Sequence, residues 1–159
     1  MLYKVFGSAL VIASSAWVAG RIGAGEDRKL QRMEACVELL NFIMNSIDCF
    51  CMPVGDIFHD VDSELLFRCG YEREEKPRNT EEILSFTDLS GDDELRHIME
   101  RFWRGIGKSY RAEEVARCKM AIEELKVLLE KRRAERQKKK KTVPVLCICS
   151  AFGIVIAFF

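Results

Sequence analysis

Apolar residues recur at helical spacing through most of the chain. Leu30, Met33, Val37, Leu40, Met44 and Ile47 step by three and four, which predicts a helix over about residues 26–51 with a heptad-like apolar stripe. The pattern breaks at residues 51–55, CMPVG. A shorter amphipathic helix follows with Ile57, Phe58, Val61, Leu65 and Leu66, and Gly70 is placed to close it. Residues 71–80 have the composition of a polar loop. Asn79 or Thr80 is placed to cap a short helix. Ser90 or Asp92 is placed to cap the next, whose Leu95, Ile98, Met99, Phe102 and Trp103 share a face. From about Arg111 onward, Val115, Cys118, Ile122, Leu125 and Leu129 repeat the three-and-four step. No segment has the signature of a strand hairpin. Two matched stripes predict two long helices packed antiparallel, with Leu40 and Ile122 buried between them and the shorter helices capping the far end.

The chain ends carry a different pattern. Residues 5–20 and 142–159 are uncharged runs of sixteen and eighteen residues. A helix needs about 20 apolar residues to cross a bilayer core, so each run suffices if its flanking side chains reach the interface. Trp17 stands near the end of the first run, where an amphipathic ring anchors at the headgroups. A cleaved signal peptide would share the short basic start and the small residues Ala16 and Ala19. The flanking charges separate the two cases. Arg21, Arg28, Lys29 and Arg32 follow the first run, and Lys131, Arg132, Arg133, Arg136, Lys138, Lys139, Lys140 and Lys141 precede the second. Positive charge stays in the cytoplasm, so both ends assign the middle of the chain to that side. The expected architecture is all-α. A transmembrane anchor at residues 1–25 and another at 142–159 flank an antiparallel helical cytoplasmic domain at 26–141, which ends in a basic juxtamembrane stalk. Both termini are expected outside the cytoplasm.

Net charge is zero, with 25 basic and 25 acidic residues, but the two signs are segregated. Residues 131–141 hold eight Lys or Arg against one Glu, so residues 1–130 carry an excess of seven negatives. An acidic body lacks the basic footprint that nucleic acid requires. Arg21 and the lysines at 138–141 are instead expected to meet lipid headgroups and fix the orientation of the anchors. Three acidic groupings mark the body: Asp56, Asp60, Asp62 and Glu64; then Glu72, Glu74 and Glu75; then Asp92, Asp93 and Glu94. They are expected at the end of the domain far from the membrane, where Asp92, Asp93 and Glu94 would meet a basic surface of a soluble partner.

Chemistry is sparse. His59 and His97 have no ligand-type neighbour at metal-helix spacing. Residues 60–67 open like a calcium loop but lack its turn glycine and closing glutamate. Gly105-Ile106-Gly107 has no third glycine and no preceding strand, so it is a turn between helices rather than a phosphate cradle. The seven cysteines form no disulfide framework, and the pairs Cys49/Cys51 and Cys147/Cys149 are too closely spaced for zinc pairs; they are expected as free thiols. No catalytic constellation, cofactor site or metal site is expected.

The chain resembles stage III sporulation protein AB. The resemblance lies in the two end runs, the heptad-like helix closed by Met52-Pro53-Val54, the Phe102-to-Ile106-Gly107 turn and the long charged last helix. The family pattern has Leu-Gly followed by Asp, Glu and Gln. Here Ile106-Gly107 is kept, and Tyr110, Ala112 and Glu114 stand in those places. Near the last anchor, KTVPVLC replaces the family's aromatic–Leu-Gly, leaving Gly153. The resemblance implies a sporulation-specific role in endospore-forming bacteria: a structural or coupling part of a secretion-like channel complex in the mother-cell membrane, with a helical domain like that of the type II secretion platform protein. The partners so implied are membrane lipids, a cytoplasmic ATPase encoded alongside, other sporulation membrane proteins and, as an open case, further copies of the chain. The alternative is a regulatory adaptor tethering a soluble signalling protein at the inner leaflet. Replacing Lys138, Lys139, Lys140 and Lys141 with glutamate removes attractions of about 1 kcal/mol each at an anionic leaflet. The expected result is misinsertion or loss of the C-terminal anchor, read by protease protection.

Overall fold

The computed structural model describes the backbone of residues 2–89 and 91–158 and the side chains of residues 25–89 and 91–138. Among the described residues the chain forms α1 (Leu2–Phe50), α2 (Val54–Asp60), α3 (Ser63–Arg68), α4 (Thr80–Phe86), α5 (Asp93–Gly105) and α6 (Arg111–Phe158). The described residues contain no strand, only an isolated antiparallel bridge between Tyr71 and Thr87. The fold is all-α, as the periodicity predicts. Two compact units divide the chain: Met1–Arg28 with Arg132–Phe159, and Lys29–Lys131.

In the first unit Asp27 pairs with Arg136, and Arg132 with Glu135 at 3.2 Å. The uncharged runs at 5–20 and 142–159 lie outside the residues whose side chains are described. Among the described residues no single helix is long and apolar enough to cross a membrane. Gly25–Phe50 and Val54–Asp60 meet that requirement only together, across a bend of 119°. Their Leu39, Leu40, Ile43, Ile57 and Phe58 are buried in the core of the helical unit.

The second unit is a bundle whose directions follow from its cross-links. Asp48, near the end of α1, pairs with Arg111 at the start of α6 at 3.0 Å. Lys29 donates to the Gly91 carbonyl at 2.9 Å, and Lys131 pairs with Glu94 at 2.9 Å. Both ends of the unit therefore meet the start of α5, while the end of α1 meets the start of α6. The two long helices run antiparallel, as expected. Between them the chain descends through α2 and α3, where Arg68 meets Glu38 at 3.2 Å, and returns along α5, where Arg101 pairs with Glu124.

The core is one cluster to which every helix contributes. Leu40 and Ile122 are both buried within it, with 0% and 3% exposure. On α6 the expected stripe holds without exception: Val115, Cys118, Ile122, Leu125 and Leu129 are all buried. On α1 the buried face is wider than a heptad seam. Cys36, Leu39 and Ile43 occupy its centre, whereas Val37 and Met44 sit at its flank, partly buried. A strict seam serves one facing helix; α1 is cross-linked to α3, to Gly91 just before α5 and to α6, and a globular contact of that kind needs a broad apolar arc. Phe58, Phe102 and Trp103 tie α2 to α5, with ring centroids 6.0 Å apart for Phe58–Trp103 and 4.9 Å for Phe102–Trp103.

The single helix expected over residues 57–70 is two helices. Val61 is extended at ψ 137°, and Asp62 caps α3 by accepting from the Glu64 amide at 3.1 Å. An aspartate that satisfies an orphan amide begins a new helix instead of continuing the old one. Gly70 then ends α3 at φ 98°, with the Tyr71 amide bonded to Leu66 O and its own amide to Phe67 O. The following loop is less polar than expected, because Tyr71 and Pro77 are buried. Asn79 caps α4 and accepts from the Glu82 amide at 2.8 Å, and Glu82 returns a bond to the Arg78 amide at 2.8 Å.

Leu40→Ala or Ile122→Ala should each cost about 2–5 kcal/mol, the usual range for a truncated core side chain. Val37→Ala, at the flank, should cost roughly 1 kcal/mol or less. Denaturant midpoints of the full chain and its variants check the difference.

Candidate interaction site

The expected partner-binding group is placed differently from the sequence expectation. Asp92 is buried and is the N-cap of α5, accepting from the Leu95 amide at 3.2 Å. Asp93 pairs with Arg96 at 2.6 Å, and Glu94 pairs with Lys131. The start of α5 adjoins Lys29 and Lys131, where the chain enters and leaves the helical unit. This corrects the expectation of a position at the opposite end. The cause is the upward direction of α5: it must return along α1 before α6 can descend, so its N-terminus falls at the base. Of the residues expected to meet lipid, Lys138 is exposed. Arg21, Lys139, Lys140 and Lys141 lie outside the residues whose side chains are described.

The opposite end of the unit is a turn held by a carboxylate. Gly107 takes φ 82°, and Glu114 Oε1 accepts from the Lys108 and Ser109 amides at 3.0 and 2.8 Å. Glu114 is only 4% exposed. Its Oε2 lies 3.7 Å from Arg117 Nε, too far for a hydrogen bond, so that contact is an ion pair by proximity alone. Gly105 gives Arg117 its room, because a Cβ there would overlap the guanidinium. Beside this turn, Ile47, Met52, Pro53, Val54 and Glu114 line a depression of about 290 Å³. Sequence reasoning assigned Glu114 no role of its own. The available signal was an acid seven residues after a turn glycine, close enough to reach back to that turn's amides.

The cysteines fall into two groups. Cys36, Cys69 and Cys118 are buried free thiols, and Cys49 and Cys51 are exposed free thiols. A hydrogen bond with Cys36, then burial, pushes the Cys69 thiol well above its ordinary value. Burial, with Glu114 second, pushes Cys118 up to about 11. Cys147 and Cys149 lie outside the described side chains. His59 and His97 are exposed. Among the described residues no group of three or more His, Cys, Asp or Glu is placed to hold a metal ion.

These features define a small all-α bundle with both chain connections at one end and a carboxylate-held turn at the other. It is a member of the stage III sporulation protein AB family, whose family model matches residues 74–159, more than half of the chain. The chain is therefore a protein of stage III of sporulation. The matched span contains α4, α5 and α6, and with them Ile106-Gly107, Glu114 and the four lysines. No curated protein and no solved structure matches the chain.

Glu114→Ala leaves the Lys108 and Ser109 amides without their acceptor. Hydrogen bonds to a charged group contribute about 1.5–3 kcal/mol, and a loss of that order is expected. Glu114→Gln, which keeps an acceptor oxygen, should lose less. Hydrogen exchange at Lys108 and Ser109 should accelerate in the alanine variant, and equal protection in both variants would contradict the assignment.

Proposed function

We propose that this protein is a membrane-anchored coupling part of a secretion-like channel complex assembled during sporulation. It has two anchors, at residues 1–25 and 142–159, and its helical unit stands on the cytoplasmic side of the mother-cell membrane. Membership in the sporulation family supports the setting. The observation that carries the reading is the position of Lys29 and Lys131, which both bind the start of α5. A unit whose two connections leave from one end suits a chain fixed twice to the same bilayer. The eight basic residues between 131 and 141 adjoin one connection, as expected of a segment held at an anionic inner leaflet.

In this role the helical unit does no chemistry of its own. It links the membrane complex to a cytoplasmic ATPase encoded alongside it, and other sporulation membrane proteins surround its anchors. Coupling requires a unit that transmits force without deforming. One continuous core, braced by α1 and α6, meets that requirement.

Topology decides the reading. Cys36, Cys69 and Cys118 are buried and silent to a thiol reagent on either side of the membrane, so Cys49 and Cys51 are the reporters. An impermeant maleimide should leave both unlabelled in intact cells and label both after permeabilisation. Labelling of Cys49 or Cys51 without permeabilisation would place the helical unit outside the cytoplasm and end the proposal.

A further inference from the structure

Charge in the helical unit is balanced unevenly. At the start of α5 and along α6, carboxylates and cations pair with one another: Asp93 with Arg96, Glu94 with Lys131, Glu123 with Lys126. The segment from α2 to the loop before α4 differs. Three of its four lysines and arginines have partners within the unit, and the fourth, Arg78, is exposed. Arg68 meets Glu38 at 3.2 Å, the Arg73 guanidinium lies 3.5 Å over the Phe86 ring, and Lys76 Nζ donates to the His59 carbonyl at 2.7 Å. Asp56, Asp60, Glu64, Glu72, Glu74 and Glu75 are all exposed. None of the six lies within ion-pair distance of a cation among the described residues. The Lys76 bond also fastens the loop to the C-terminal turn of α2, which brings the loop carboxylates to the side of the unit that carries Asp60.

An aromatic side chain stands beside one of these acids. Phe67 is 76% exposed on α3, three residues from Glu64 and therefore on the same helical face. Its neighbours Leu65 and Leu66 are buried, so α3 has already supplied its share of the core, and Phe67 is additional to it. An exposed phenylalanine keeps most of its apolar surface in water, and burying it is worth up to roughly 1.5–3 kcal/mol to a surface that covers it. Aromatic anchors of this kind, ringed by polar groups, are the usual centres of protein interfaces.

We propose that the outward face of α2 and α3, centred on Phe67, is a docking surface for a protein that presents basic side chains around an apolar slot. The carboxylates select this occupant. Nucleic acid and anionic lipid are repelled by them, and a second copy would bring the same acidic face against its own. The proposal rests on the coupling reading above and deepens it. The soluble partner meets the α2–α3 face and not the start of α5, whose acids are engaged within the fold.

The test uses the full chain in detergent and the purified ATPase, with binding followed in real time across a salt series. Phe67→Ala should weaken binding about tenfold or more, as truncation of an aromatic anchor does. Asp60→Lys combined with Glu64→Lys should slow association roughly tenfold at low salt and flatten the salt dependence, since exposed charges act over about 8 Å at physiological ionic strength. Glu130→Lys, an exposed site on α6, should leave both rates unchanged. Circular dichroism should be the same for all variants, because every altered side chain is exposed. If the unaltered chain binds and the Phe67 and α2–α3 variants bind equally well, the docking face is refuted and the coupling reading survives. If the unaltered chain fails to bind at all, the coupling reading falls and the docking face falls with it.

Discussion

The broad apolar face of α1 is the constraint that the rest of the helical unit satisfies. Met33, Cys36, Leu40 and Ile43 are wholly buried, with Leu39 and Ile47 nearly so. Each large side chain among them contributes roughly 1.5–3 kcal/mol on leaving water. The cross-links that mark the helix directions are ion pairs with substantially exposed partners, each worth about 0–1 kcal/mol. Burial therefore supplies the stability, and the ion pairs specify direction and register. One facing helix cannot cover an arc this wide. α3, α5 and α6 share the work, and that sharing fixes the order in which the chain passes up and down.

The sequence carried this architecture where its periodicity was long. The stripe of α6 is the stripe of the core because its five apolar positions fall on one face of a long regular helix. The sequence offers Ser90 or Asp92 as the cap of α5, and Asp92 holds the bond. Legibility ended where a local preference competed with the apolar pattern. Val61 and Leu65 are both buried and four residues apart, which suits one helix, but Asp62 between them starts another. Val37 and Met44 fit a heptad and are flanking because the heptad assumes a single partner. The placement of Asp92, Asp93 and Glu94 was beyond reach for another reason. Charge identity is visible in a sequence, but whether a charge is neutralised depends on chain direction, and Lys131 is thirty-seven residues from Glu94.

The span that matches the family begins in the loop before α4 and includes the Ile106-Gly107 turn with the carboxylate that grips it. Glu114 has a physical role there: the turn presents the Lys108 and Ser109 amides inward, and its carboxylate accepts from both. The acids of α2, α3 and the following loop have no such internal duty, which leaves them available to another molecule.

The long separation of the contacts that close the unit bears on how the chain is made. Arg101 and Glu124 are twenty-three residues apart, so α5 and the first half of α6 can meet soon after both are synthesised. Asp48 and Arg111 are sixty-three apart. Part of the apolar face of α1 therefore waits through the synthesis of four more helices before α6 arrives to complete the core. During that interval the nascent chain displays a sticky helix to the translation machinery, and contacts this distant in sequence are slow to form. Contacts of α1 with the neighbouring small helices are much closer in sequence, as with Glu38 and Arg68, and can cover part of that face sooner. The small helices in the middle of the chain thus act as a provisional cover before they become part of the finished bundle.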